Sequence, residues 1–151
     1  MKSNIFTMQK LIFLLLILFL SSCCTKKPSF EEDKKDIVEI MEKQAADWSN
    51  GDLEEFMEGY WKSDSLGFMG LKGIRYGWQA TLDSYKRGYP DLDAMGKLSF
   101  KYDQFKQMGD KNMFLAGQWK LERSKDTIGG YLTLVWEKID GEWKVIFDHT
   151  P

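Results

Sequence analysis

Met113-Phe114-Leu115-Ala116-Gly117-Gln118-Trp119-Lys120-Leu121 decides the fold class. Met113, Leu115, Gly117, Trp119 and Leu121 stand at alternate places between Phe114, Ala116, Gln118 and Lys120, the period of a strand with one face buried. Working outward, Leu98, Phe100 and Tyr102 alternate with Ser99, Lys101 and Asp103 in the same way. Gly129 to Ile139 and Trp143 to His149 read as two further strands joined by Asp140-Gly141, a strong two-residue hairpin signal. The C-terminal half is therefore an antiparallel meander.

Towards the N-terminus the period lengthens. From Asp36, the positions of Ile37, Ile40, Met41, Gln44, Ala45 and Trp48 form one face of a helix, which Asn50-Gly51 ends with a left-handed cap at Gly51. Asp52 caps a second helix with an apolar stripe of Leu53, Phe56, Met57, Tyr60 and Trp61. Gly73 to Gly77 reads as turn and strand, and Trp78, Leu82, Tyr85 and Tyr89 mark a third helix ending at Gly88 to Pro90. The layout is α+β: three N-terminal helices on one face of a curved antiparallel sheet, making a cone open at one end, where a ligand could sit.

Lys2 and Lys10 precede an unbroken apolar run from Leu11 to Leu20. At about 1.5 Å per residue the run covers ~15 Å, half of a ~30 Å hydrocarbon core, so it reads as a secretory signal and not as a spanning helix. Leu20-Ser21-Ser22-Cys23, directly behind it, resembles the lipobox of bacterial lipoproteins. That resemblance implies cleavage before Cys23 and lipidation of its thiol and new amino group, which would anchor the exported protein to a bacterial membrane through lipid alone. Cys24 looks incidental, since neighbouring cysteines make a strained bridge. The expected division is signal peptide 1–22, lipidated Cys and tether 23–30, and domain 31–151. Loss of residues 1–22 removes two cations and no acid, leaving 19 basic against 23 acidic groups. Such a balance gives nucleic acid no footprint, and one His with an adjacent Cys pair builds no zinc site; no metal or cofactor is implied.

Trp48-Ser49-Asn50-Gly51-Asp52-Leu53 followed by Phe56, Tyr60 and Asp64 resembles the opening of nuclear transport factor 2-like domains. Arg75-Tyr76-Gly77-Trp78 and Gly141-Glu142-Trp143-Lys144-Val145 fit the same pattern, and the Asp148-His149-Thr150 ending is similar to the SnoaL-like branch. The resemblance spans about Asp36 to Thr150. It implies a cone-shaped, cystatin-like α+β barrel, commonly homodimeric through its sheet. Its function stays open, because this fold hosts enzymes, binders and scaffolds. Ketosteroid isomerases of this superfamily need an Asp to move a proton and a Tyr with a protonated Asp to hold the enolate. By alignment those places fall on Met69, Gln44 and Val135, so steroid isomerisation is not supported.

Candidate site residues follow, each with a plainer alternative. Gln44 is polar on an apolar stripe and could bond a ligand, or a neighbouring backbone group. His149 has the pKa range for acid–base work. On a regular last strand it shares the inner face with Trp143, Val145 and Phe147, while Asp148 faces out; alternatively the two fasten the strand end. Asp64 stands at the pocket mouth or caps a turn. Arg75 could hold a carboxylate through its planar fork and Tyr76 and Trp78 could stack on a ring, unless they form a packed corner with a solvated Arg. Trp48, Tyr60, Trp61 and Trp119 are further candidate ligand contacts, and some aromatics could instead cover the outer sheet face in a dimer. The acids of Glu31-Glu32-Asp33-Lys34-Lys35-Asp36 read as a solvated helix start.

The leading expectation is a membrane-tethered domain that binds a small apolar or aromatic molecule. The rival is an isomerase, dehydratase or cyclase with His149 as base, its substrate polarised by Gln44, Tyr60 or Arg75. The third is a noncatalytic dimerisation module with a cone filled by Trp61, Trp119 and Trp143.

Overall fold

A computed structural model describes residues 28–151. The signal segment, Cys23 and Cys24 lie outside the described residues. Helix α1 (Phe30–Ser49) starts several residues before the expected Asp36, because Ser29 and Glu32 form a capping box that satisfies free N–H groups at its first turn. Gly51 takes the left-handed conformation (φ 86°) expected of it, and Asp52 accepts from the Glu55 N–H to open α2 (Leu53–Met57). Strands β1 (Gly67–Gly70) and β2 (Gly73–Tyr76) form a tight hairpin, followed by α3 (Trp78–Gly88). A short helix that the residue pattern did not announce, α4 (Leu92–Met95), is capped by Asp91 and leads into the meander β3 (Lys97–Gln107), β4 (Asn112–Glu122), β5 (Thr127–Ile139) and β6 (Glu142–His149).

The strands form one sheet in the order β2-β1-β6-β5-β4-β3, antiparallel except where β1 runs beside β6. Asp140 (φ 52°) and Gly141 (φ 92°) both have positive φ, the conformation that a two-residue hairpin demands. As the alternation requires, Met113, Leu115, Gly117 and Leu121 of β4 are buried, with Leu132, Leu134 and Trp136 of β5 beside them. Ile37, Met41 and Trp48 of α1 close over this inner face.

Two departures from a regular cone matter. In β3 the register slips between Tyr102 and Gln104, and in β6 between Val145, opposite Trp136, and Phe147, opposite Val135. The second slip leaves Ile146 without a partner and reverses the side-chain alternation beyond it. Trp143 and Val145 face inwards before the bulge and Asp148 after it, while Phe147 and His149 are turned away.

The acidic run at the start of α1 is not wholly solvated. Asp33, 3% exposed, accepts from Lys138 Nζ at 2.9 Å and from Trp143 Nε1 at 3.1 Å. It stands four places before Ile37 and so shares the buried face of α1. This clamp ties the helix start to the β5–β6 hairpin at the closed end of the cone. Asp33→Ala leaves the Lys138 cation and the indole N–H without their acceptor. The expected loss, discounted for the partial exposure of Lys138, is about 2 to 3 kcal/mol, read as a lower midpoint of urea unfolding. An unchanged midpoint would show that the clamp carries no stability.

Candidate functional site

The cone is hollow. Between the helices and the inner sheet face lies a cavity of about 460 Å³, within the range of small-molecule sites. Its sheet wall is Leu98, Phe100, Trp119, Leu121, Leu132 and Leu134, and its helix wall is built on Met41, Gln44 and Trp48. Phe56, Tyr60, Phe68, Tyr85 and Tyr89 add an aromatic side. Trp48 sits at the centre of that side, edge-on to Phe56, Tyr85 and Tyr89 with ring centroids 5.1, 5.5 and 4.7 Å away. The Gly70–Gly73 turn of the β1–β2 hairpin, Arg75 and the chain end Thr150-Pro151 also border it. A cone filled by tryptophans is thereby corrected: Trp143 packs into the closed end, Trp119 lines the space, and Trp61 lies outside it.

One acidic side chain lines this apolar enclosure, that of Asp148, 2% exposed. Tyr60 Oη donates to its Oδ2 at 2.8 Å and Thr150 Oγ1 to its Oδ1 at 2.5 Å. Burial pushes the carboxyl up to about 6, while the two hydroxyl donors and the adjacent His149 pull the other way. Tyr60 and Tyr85 are both held well above the usual phenol range, chiefly by burial and next by the charge of Asp148. Tyr85 also feels Arg75, which lowers it, so this phenol stands between an acid and a cation. A buried carboxyl that titrates near neutrality, hydrogen-bonded to a phenol, can accept or donate a proton or bind a polar ligand atom.

Most of the candidate residues are brought together. Gln44, Trp48, Tyr60, Arg75, Trp119 and Asp148 all line the cavity. Gln44, however, spends its amide on the Phe56 carbonyl at 2.9 Å, the plainer of its two readings. His149 and Asp148 exchange the faces expected of them, because the Ile146 bulge inverts the alternation; His149 is not part of the cavity wall. Asp64 is exposed in the turn before β1, away from the wall. Tyr76, 61% exposed, lies on the outer side of the hairpin, and Trp78 is a core residue whose Nε1 donates to the Met57 carbonyl at 2.8 Å. Met69 and Val135 also point away from the cone, and the inward neighbours Phe68 and Leu134 carry no acid. Phe68, Tyr85, Tyr89, Phe100, Lys72 and Thr150 complete the site without having been singled out. Tyr85 and Tyr89 had a signal, as hydroxyl-bearing rings on the apolar stripe of α3.

The fold has solved counterparts. An NTF-2 like protein of unknown function from Shewanella oneidensis MR-1 is 38% identical, over 78% of this chain and 97% of its own, with a TM-score of 0.75. The chain belongs to the NTF2-like family. An NTF2-like superfamily protein from Salmonella enterica serovar Typhimurium LT2 (17% identity, 80% of this chain and 91% of that one, TM-score 0.63) shares the NTF2-like fold. So does a ketosteroid isomerase-like protein from Erwinia carotovora atroseptica SCRI1043 (12%, 81% and 100%, TM-score 0.59). No family model matches the chain, and no curated protein does.

The raised titration of Asp148 has a sign. An unfolded Asp titrates near 3.9 and Asp148 near 6, so the native state holds this proton more tightly. Its contribution to stability is full below the unfolded value and is lost as pH rises through about 6. The stability of the protein relative to Asp148→Asn is expected to rise by up to about 3 kcal/mol between pH ~7.5 and pH ~4. Urea unfolding of both proteins at the two pH values measures it, and a constant difference would refute the buried titration.

Proposed function

We propose that this NTF2-like domain binds a small, largely apolar or aromatic molecule in its cone. The observation that carries the reading is the hollow, aromatic-sided cavity whose one buried carboxyl is already hydrogen-bonded by the protein. A space bounded by side chains as large as Trp48, Trp119 and Tyr85 costs packing energy if it stays empty, and a ligand recovers that energy. The lipobox-like Cys23 supports a lipid-anchored, exported form, with the domain held at a bacterial membrane.

The outer sheet face supports a homodimer. Phe114, Val135 and Phe147 lie side by side across β4, β5 and β6, with Met69 and Ile74 continuing the patch on the hairpin. Tyr76 and Tyr131, 61% and 72% exposed, flank it. An apolar sheet face of this kind is suited to burial against a second copy.

Native mass spectrometry of the purified protein tests both parts. The expected spectrum shows a dimer carrying an extra mass that is lost on denaturation, Val135→Glu giving monomer. Leu98→Trp, which narrows the cavity, is expected to weaken a neutral apolar probe at least about tenfold, ~1.4 kcal/mol. No adduct together with no saturable probe would sink the binding reading, and a wild-type monomer would sink the dimer.

A second reading, proton-transfer catalysis of the isomerase, dehydratase or cyclase kind, gains support from one contact: the Tyr60–Asp148 hydrogen bond at 2.8 Å inside the cavity. Asp148, and not His149, would then move the proton, with Tyr60 holding the carboxyl in place. Deuterium exchange into the carbon skeleton of the recovered ligand is expected to fall by about 100-fold or more in Asp148→Asn while that ligand still binds. Equal exchange in the two proteins would exclude it.

A further inference from the structure

The charged groups of the cavity are unevenly placed. Among the described residues its lining holds three charged side chains, Asp148, Lys72 and Arg75. Asp148 is buried, with a hydroxyl on each oxygen. Lys72 is exposed on the hairpin turn, and Arg75 is half-buried on β2 with its guanidinium 5.8 Å from the centre of the Phe68 ring. Neither cation has an ion-pair partner among the described residues. Arg75 therefore lines the cavity without an ion-pair partner, in a chain whose net charge is negative.

We propose that the ligand is an organic acid, its carboxylate held by Arg75 and Lys72 on the β1–β2 side of the cavity and its apolar or aromatic body lying across Phe68 towards Asp148, against Phe100 and Trp119. This inference rests on the binding reading above and fixes the chemical class and the direction of the ligand. One planar fork and one ammonium match a planar group with a single charge. The opposite direction is disfavoured, because a carboxylate placed against Asp148 would meet a like group in an enclosed apolar setting. The far end of the ligand meets the oxygens of Tyr60 and Tyr85 instead, and since Tyr60 already donates to Asp148, a hydroxyl that can donate completes the match. Tyr85, which senses both Asp148 and Arg75, marks the boundary between the two ends.

The test compares three probes by calorimetric or fluorescence titration of the purified full-length protein: 6-hydroxy-2-naphthoic acid, its carboxamide, and the neutral N-phenyl-1-naphthylamine. The acid is expected to bind at least tenfold more tightly than the amide, with an advantage that shrinks as salt is raised. Arg75→Gln should abolish that advantage, with N-phenyl-1-naphthylamine titrated alongside to show that the variant still has a cavity that binds. Arg75→Lys, which keeps the charge without the fork, should retain part of it. An amide that binds as well as the acid, or a preference that survives Arg75→Gln, overturns the inference. If N-phenyl-1-naphthylamine binds and neither naphthoyl probe does, the acid is overturned and the cavity reading stands. If none of the three binds, both fall.

Discussion

In β6, Val145 and Phe147 face consecutive residues of β5, and Ile146 between them has no partner, so the strand gains a residue and its side chains change sides. Without that bulge Phe147 would fill the cone and Asp148 would be solvated on the outer face. With it, Phe147 lies over Gly67, where an added Cβ would come within 2.5 Å of its ring, and Asp148 enters the enclosure. The polar chemistry of the cavity and the apolar character of the outer face thus share one backbone cause. Bulges commonly re-aim a side chain beside a functional site, and here the exchange serves both faces of the sheet.

A buried carboxyl is costly unless its hydrogen bonds are satisfied. Tyr60, from the segment after α2, and Thr150, two residues beyond Asp148, supply the donors, so the site joins the helical layer to the end of the chain. The enclosure that makes this acid titrate near neutrality is made by the same rings that would grip a ligand. Binding and acidity are for that reason coupled: a molecule that displaces water from the cavity further disfavours the charged form of Asp148.

The order of elements was legible because apolar residues keep the helical period up to Tyr89 and a period of two after Leu98. The hairpin at Asp140-Gly141 and the cap at Gly51 were legible because both need positive φ. The bulge was not, since Val145, Ile146 and Phe147 are all apolar and a slip among them leaves no mark on the polar pattern. That ambiguity exchanged Asp148 and His149, and the expectation of His149 as a base went with it. Asp33 was readable in principle, four places ahead of Ile37, but it was hidden in a run of charges that usually lie in water. Lys72 carries no local signal at all: a lysine in a turn gains meaning only from the cavity that the turn borders.

The Asp33 clamp also decides what a pull on the chain meets first. It fastens the first turn of α1 at the closed end of the cone, whereas the last turn reaches the open region, where Ser49 Oγ accepts from the Leu98 N–H. Asp33 and Ser49 stand sixteen residues apart, about 24 Å along the helix. A pull on the N-terminal end of α1 is therefore resisted first by the Asp33 clamp, before it reaches the walls of the cavity.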